Sequence, residues 1–259
     1  MKAFPLSAML TSLPLDFEPA VKAVAELGFT HADVVALVER PTAHREALAD
    51  SGLLIGCASL GRGLPEGHGL DVPSLEMRRT TLDIIKRQIT DAAELGATRA
   101  YLVPGLDNTP EALLRFADGV GLLAEIAKGR MIQLCVEPVP GRALSRADAT
   151  LAWLESSRLD AWMLLDVGHC LISKEDPAEV VRRAGPRLGY VHLDDNDGVG
   201  DLHWALFTGR LTVEALRRFL AALDETGYER PLAFEFNPQL SPSALPDGKA
   251  AVERLMGRP

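Results

Sequence analysis

Leu164-Leu165-Asp166-Val167-Gly168-His169 is a short apolar run that breaks off on polar residues, and Tyr190-Val191-His192-Leu193-Asp194-Asp195-Asn196 repeats that form further along. Upstream, Gln133-Leu134-Cys135-Val136-Glu137-Pro138 has the same build, and downstream so does Ala233-Phe234-Glu235-Phe236-Asn237-Pro238. Brief apolar runs of this kind read as strands buried on both faces, as in parallel sheets flanked by helices. Working outward, the strand candidates are Ala3–Met9, Ala32–Leu37, Leu54–Leu60, Arg99–Val103, Gln133–Glu137, Trp162–Asp166, Gly189–Leu193 and Leu232–Phe236. Helical segments lie between them. Asp16 before Phe17-Glu18-Pro19, Thr109-Pro110, Asp176-Pro177 and Thr212-Val213-Glu214 are starts in which a capping side chain precedes an early Pro or Glu. Leu27-Gly28, Leu95-Gly96, Lys128-Gly129 and Thr226-Gly227 put Gly just past an apolar stripe, where a helix stops.

Eight strands alternating with helices predict an α/β fold, a single (β/α)8 TIM barrel, which takes about 250 residues. The competing open, doubly wound sheet usually carries a Gly-rich nucleotide loop after its first strand, and Ser7–Pro14 contains no Gly. No Gly/Ser linker, low-complexity tract or charge block interrupts the chain, so residues 1–259 read as one domain.

The formal net charge is −9, from 27 Lys+Arg against 36 Asp+Glu, and the longest basic runs are pairs such as Arg182-Arg183 and Arg217-Arg218. A surface of that sign repels phosphate backbones, so no nucleic-acid partner is expected. No stretch approaches the roughly 20 apolar residues of a membrane helix. Pro5, Ser12 and Pro14 interrupt the N-terminal apolar residues, so no signal-peptide core is read there. Cys57, Cys135 and Cys170 are odd in number and lack CxxC spacing, which points to a reducing, cytoplasmic setting. Homo-oligomerisation is left open.

In a barrel of this type the C-terminal ends of the strands converge on one pocket. The last four strands bring Glu137, Asp166, His192 and Glu235 there at one height. Three carboxylates so gathered would repel one another, and burying them unpaired is costly. A divalent cation removes that cost, and three carboxylates with one imidazole suit Mn²⁺, Mg²⁺, Co²⁺ or Zn²⁺.

The series Glu137, Asp166-x-x-His169, His192 and Glu235 resembles the xylose-isomerase-like barrel superfamily of sugar (phosphate) isomerases and epimerases, as do the phrases Ala93-Glu94-Leu95-Gly96-Ala97 and Leu27-Gly28-Phe29. The resemblance covers nearly the whole chain. It implies that Glu137 and Glu235 bind the cation and exchange protons with substrate, that Asp166 and His192 only bind the cation, and that His169 contacts a substrate oxygen. The activity implied is isomerisation or epimerisation of a small sugar, sugar phosphate or polyol by proton transfer through a cation-stabilised cis-enediolate. A dehydratase of an inosose-like or dehydroshikimate-like substrate is the alternative on the same scaffold.

Two departures qualify the resemblance. Ketose epimerases of this superfamily carry an Arg after the strand-seven His, where this chain reads Asp197-Gly198-Val199-Gly200-Asp201-Leu202-His203. Asp201 and His203 resemble a zinc-binding pair of the apurinic-endonuclease branch, but the strand ends Ala58-Ser59-Leu60-Gly61 and Leu102-Val103-Pro104-Gly105 lack the histidines of that cluster. Asp201, His203 and His169 are therefore assigned to substrate binding, with His68 in the loop after strand three beside them. Trp204 is either an apolar wall against a sugar face or a loop cap. No Lys falls at a strand end, which removes Schiff-base chemistry. Cys135, Trp153 and Trp162 read as structural, and His31 and His44 as solvated residues outside the pocket. The loop Asn237–Pro246 lacks a phosphate-cradling Gly pair, which leaves phosphorylation of the substrate undecided.

Overall fold

Side-chain parity along the strands organises this molecule. The computed structural model describes residues 2–257. Eight parallel strands, β1 (Leu6–Met9), β2 (His31–Val35), β3 (Leu54–Ser59), β4 (Arg99–Leu102), β5 (Gln133–Val136), β6 (Trp162–Asp166), β7 (Leu188–Leu193) and β8 (Leu232–Phe234), close into a barrel in chain order, with β8 pairing β1. Outside it lie α1 (Phe17–Glu26), α2 (Thr42–Ser51), α3 (Leu75–Glu94), α4 (Pro110–Lys128), α5 (Ala147–Ser156), α6 (Val167–Ser173), α7 (Pro177–Ala184), α8 (Val213–Glu225) and α9 (Ala244–Leu255). The sequence-based alternation is the observed one.

Several helix boundaries are chemically marked as expected. Thr109, Asp176 and Thr212 each accept a backbone N–H of the first turn, from Ala112, Ala178 and Ala215 respectively. Asp16 sits at the N-cap of α1 but makes no capping bond. Gly28, Gly96 and Gly227 take left-handed backbone after their helices, whereas Gly129 stays right-handed and Met131 adopts the positive φ instead.

Alternate strand residues fill the barrel interior. Met9, Cys57, Tyr101, Cys135, Leu164, Tyr190 and Ala233 form one buried cluster there, separate from the larger apolar layer between sheet and helices. Because the strand period is two, the residues two positions beyond Cys135, Leu164, Tyr190 and Ala233 face inward as well. Those residues are Glu137, Asp166, His192 and Glu235. Gly189 keeps β7 close to its neighbour, since a Cβ there would lie 2.5 Å from Cys135 Sγ.

A buried ion pair ties the turn after β2 to α3. Arg40 Nη2 lies 2.8 Å from Asp91 Oδ2, with both side chains almost fully buried, and Asp91 also accepts the Leu37 N–H. Replacing Asp91 with Ala strands a buried guanidinium, so Asp91→Ala should lose about 3–5 kcal/mol of stability. Urea denaturation checks this, and a loss under about 1 kcal/mol would contradict it.

Candidate active site and metal centre

Glu137, Asp166, His192 and Glu235 offer one ligand atom each, all within 4.8 Å of one another. Asp166 and His192 are direct partners across the β6–β7 ladder. Glu137 and Glu235 lie one residue beyond β5 and β8, yet their N–H groups still bond to Leu102 and Leu193 carbonyls, so each continues its strand's direction. His192 is fully buried and Asp166 is 1% exposed, while Glu137 and Glu235 line a cavity of about 530 Å³ that opens above them.

The electrostatics of this cluster call for positive charge. His192 Nδ1 stands 2.6 Å from Glu235 Oε2 and 3.6 Å from Glu137 Oε1. Burial opposes the charged imidazole, but Glu235, Asp33 and Glu137 outweigh it and hold His192 well above its ordinary range. Burial pushes the Glu137 carboxyl up. It also drives Asp166 up to about 7, with the Asp194 carboxylate adding to the effect. Glu235 goes the other way, to about 2, because the charges of His192, His203 and His169 outweigh its burial. Among the described residues, buried Asp166 Oδ2 has no hydrogen-bond partner. An orphaned ligand atom among crowded carboxylates fits a divalent cation.

His169, Asp201 and His203 form a second layer at the cavity wall. His169 Nδ1 is 3.1 Å from the Pro138 carbonyl and Nε2 is 3.2 Å from Asp201 Oδ1, both acceptors. His203 places Nδ1 3.0 Å from Asp194 Oδ2 and Nε2 3.2 Å from Asp201 Oδ1. Burial disfavours both charged rings, but Asp166 and Asp201 raise His169 to about 10, and Asp194 and Asp201 raise His203 to about 12. Asp201 is held below the usual carboxylate range because hydrogen bonds to these two rings outweigh its burial. His169, Asp201 and His203 lie close enough to share a cation, as do Asp166, Asp194 and His203.

The loop after β7 is held in place from beneath. Asp194, Asp195 and Asn196 are fully buried. Asp194 accepts the Gly168 N–H, Asp195 accepts those of Gly209 and Leu211, and Asn196 Oδ1 accepts that of Leu202. His203 takes a left-handed φ of 48°, held by its contact with Asp194 and by the Asn237 N–H bonded to its carbonyl. Strain of that kind persists where the surroundings over-determine it.

The model of the xylose isomerase-like TIM barrel family matches residues 21–255. This chain belongs to that family. Among curated relatives, a putative hydroxypyruvate isomerase of Streptomyces coelicolor is 29% identical, covering 95% of this chain and 96% of its own. A fructoselysine 3-epimerase of Shigella flexneri is 25% identical over 83% of each chain. Among solved structures, a D-psicose 3-epimerase superposes with a TM-score of 0.80 at 17% identity, covering 98% of this chain and all of that one. That last likeness is one of fold.

Within this xylose isomerase-like barrel, all eight residues singled out from the sequence lie in or beneath the one cavity. His68 is in its wall, on the loop between β3 and α3. Trp204 is not. It pairs through its backbone with Asp195 and faces a separate cavity beside α9, so of its two readings the loop cap is the observed one. His44 is half-buried rather than solvated, stacked on the Phe17 ring with centroids 4.1 Å apart. Asp33, Asp194, Arg62 and Arg142 escaped the sequence reading. The two arginines line the cavity from loops, and nothing in the sequence separates them from other surface arginines. Asp33 was detectable as a carboxylate inside an otherwise apolar strand.

Gly168 marks how tightly the two layers fit. A Cβ there would fall 2.2 Å from Asp194 Oδ1 and 2.3 Å from Asn196 Nδ2. Gly168→Ala should therefore displace the β7 loop and destabilise the fold by about 1–3 kcal/mol, the usual range for overpacking. Thermal unfolding measures it, and an unchanged midpoint would contradict the tight fit.

Proposed function

We propose that this chain is a divalent-cation-dependent isomerase or epimerase of a small sugar or related hydroxyketone. The observation that carries the reading is the buried quartet of Glu137, Asp166, His192 and Glu235 on the floor of a cavity sized for a small molecule. A divalent cation held by the quartet supplies a Lewis acid that makes the C–H beside a carbonyl acidic.

Glu137 and Glu235 are the proton-transfer pair in this reading, because both reach the cavity while Asp166 and His192 lie beneath it. Their environments push them apart, Glu137 upward by burial and Glu235 downward by its imidazole neighbours. Two carboxylates reaching one cavity are what acid–base exchange without a redox cofactor needs. His169 and His203 add cationic rings to the cavity wall, each with both nitrogens facing protein acceptors, and Asp201 between them orients both rings and offers an acceptor for a substrate hydroxyl. Arg62, Arg142 and His68 line the same cavity from its loops and give it donors for further substrate oxygens. The relatives act on hydroxypyruvate and on fructoselysine, by their names. Both substrates place a hydroxyl-bearing carbon beside a carbonyl, which is the chemistry proposed here.

The test is a screen of ketoses, hydroxyketo acids and inososes with Mn²⁺ in D₂O, followed by proton NMR. Deuterium should enter the product at the carbon beside the carbonyl. Glu137→Gln and Glu235→Gln should each lower turnover by at least ~10²-fold. Near-normal turnover in both variants, with normal cation binding, would refute the pair. Product lacking a β-hydroxyl would move the chemistry to a dehydratase.

A second prediction concerns the loop. His203→Ala should shift substrate preference or raise KM while the protein still holds one Mn²⁺ per chain by elemental analysis. Two tightly held cations in the parent, falling to one in the variant, would contradict the single-cation reading.

A further inference from the structure

His192 has two ring nitrogens, and only Nδ1 faces the carboxylates of the quartet. Nε2 points into the barrel, where Asp33 Oδ2 lies 3.7 Å away. Both atoms are buried, and neither has a hydrogen-bond partner elsewhere among the described residues. Asp33 is fully buried at the centre of a parallel barrel, among Met9, Cys57, Tyr101 and Tyr190 of the interior cluster. A carboxylate is expensive in such a place unless the structure is built to hold it.

It is built to hold it. Ser7 Oγ on β1 donates to Asp33 Oδ1 at 2.5 Å, and Tyr190 Oη on β7 donates to the same oxygen at 2.8 Å. On β3 the residue alongside is Gly56, where a Cβ would fall 2.3 Å from Tyr190 Oη and 2.6 Å from Asp33 Oδ1. Four strands thus contribute to one carboxylate whose first oxygen is fully engaged and whose second is left facing His192. Edge-on rings of Tyr101 and Tyr190, at 5.3 and 5.9 Å, restrict the imidazole's tilt.

We propose that Asp33 is the positioning residue for His192: its free oxygen draws the ring proton to Nε2 and leaves the Nδ1 lone pair for the cation. The inference rests on the quartet's holding a cation, as proposed above. An acceptor behind a ligating imidazole selects the tautomer and orientation, and losing such a partner typically costs 10–100-fold in metal affinity. Asp33 touches neither substrate nor cation and is not itself a catalytic residue.

Asp33→Asn makes the test sharp. Ser7 and Tyr190 keep an oxygen on their side, so the amide turns an N–H towards Nε2. That favours the proton on Nδ1, where the cation must bind. Mn²⁺ affinity by calorimetry should fall ~10–100-fold, while the cation-free protein unfolds within a few degrees of the parent. In ¹⁵N-labelled protein, with His192→Ala as the assignment control, the parent should show a low-field, slowly exchanging Nε2–H proton that Asp33→Asn lacks. Tyr190→Phe, which removes one of the two hydroxyls fixing the carboxylate, should give an intermediate loss of affinity. It also keeps the test open if Asp33→Asn fails to fold.

Unchanged Mn²⁺ affinity in both variants would overturn the proposal, as would a His192 Nε2–H signal that survives Asp33→Asn. If the parent binds no Mn²⁺, the quartet's reading fails. The proton signal then decides alone whether Asp33 positions the ring.

Discussion

Three carboxylates around one buried imidazole are the constraint that the rest of this barrel accommodates. Left to themselves, Glu137, Asp166 and Glu235 would repel one another in a medium where charge is poorly screened. The fold nevertheless forces them together, because each lies two residues beyond a side chain of the barrel's own interior packing. The same inward parity that packs Cys135, Leu164, Tyr190 and Ala233 delivers the quartet. The fold's stability and the site's chemistry therefore share one geometric cause, and a register slip in any of the last four strands would spoil both.

Around the quartet the polar residues fall into two supporting sets. Beneath it, Ser7, Asp33 and Tyr190 fill a space that Gly56 leaves open. Beside it, Asp194, Asp195 and Asn196 fold the β7 loop back so that Asp201 and His203 enter the cavity. Buried polar groups are tolerable when satisfied: the Ser7 and Tyr190 hydroxyls engage one oxygen of Asp33, and backbone N–H groups engage Asp194, Asp195 and Asn196. The result is a floor of strand residues joined to a wall supplied by the β7 loop, the two meeting where Asp194 packs against Gly168.

Much of this was legible in the sequence. Trp162–Asp166 is the observed β6 to the residue, because the strand is bounded by a start after a turn and by the helix that Asp166 caps. Other strands came out shorter than their apolar runs, as with Ala3–Met9 against Leu6–Met9, since apolar residues also bury against helices outside the ladder. Lys128-Gly129 read as a helix stop, and α4 ends there, with the left-handed residue at Met131 two positions on. The four residues of the quartet were visible because a polar residue closing an apolar strand adds nothing to its packing. Asp33 showed only as a carboxylate within an apolar run, and its partners, like that of Asp194, lie elsewhere in the chain. Tyr190 is 157 positions from Asp33, and no local pattern records that pairing. Trp204 and His44 likewise take their environments from neighbours that sequence spacing does not reveal.

If the quartet is what the charges around it imply, one divalent cation sits among Glu137, Asp166, His192 and Glu235. Anomalous diffraction from crystals grown with Mn²⁺ would locate it. One strong peak is expected within bonding distance of all four side chains, with His192 ligating through Nδ1. A peak among His169, Asp201 and His203 with none in the quartet, or no peak at all at saturating Mn²⁺, would refute the assignment.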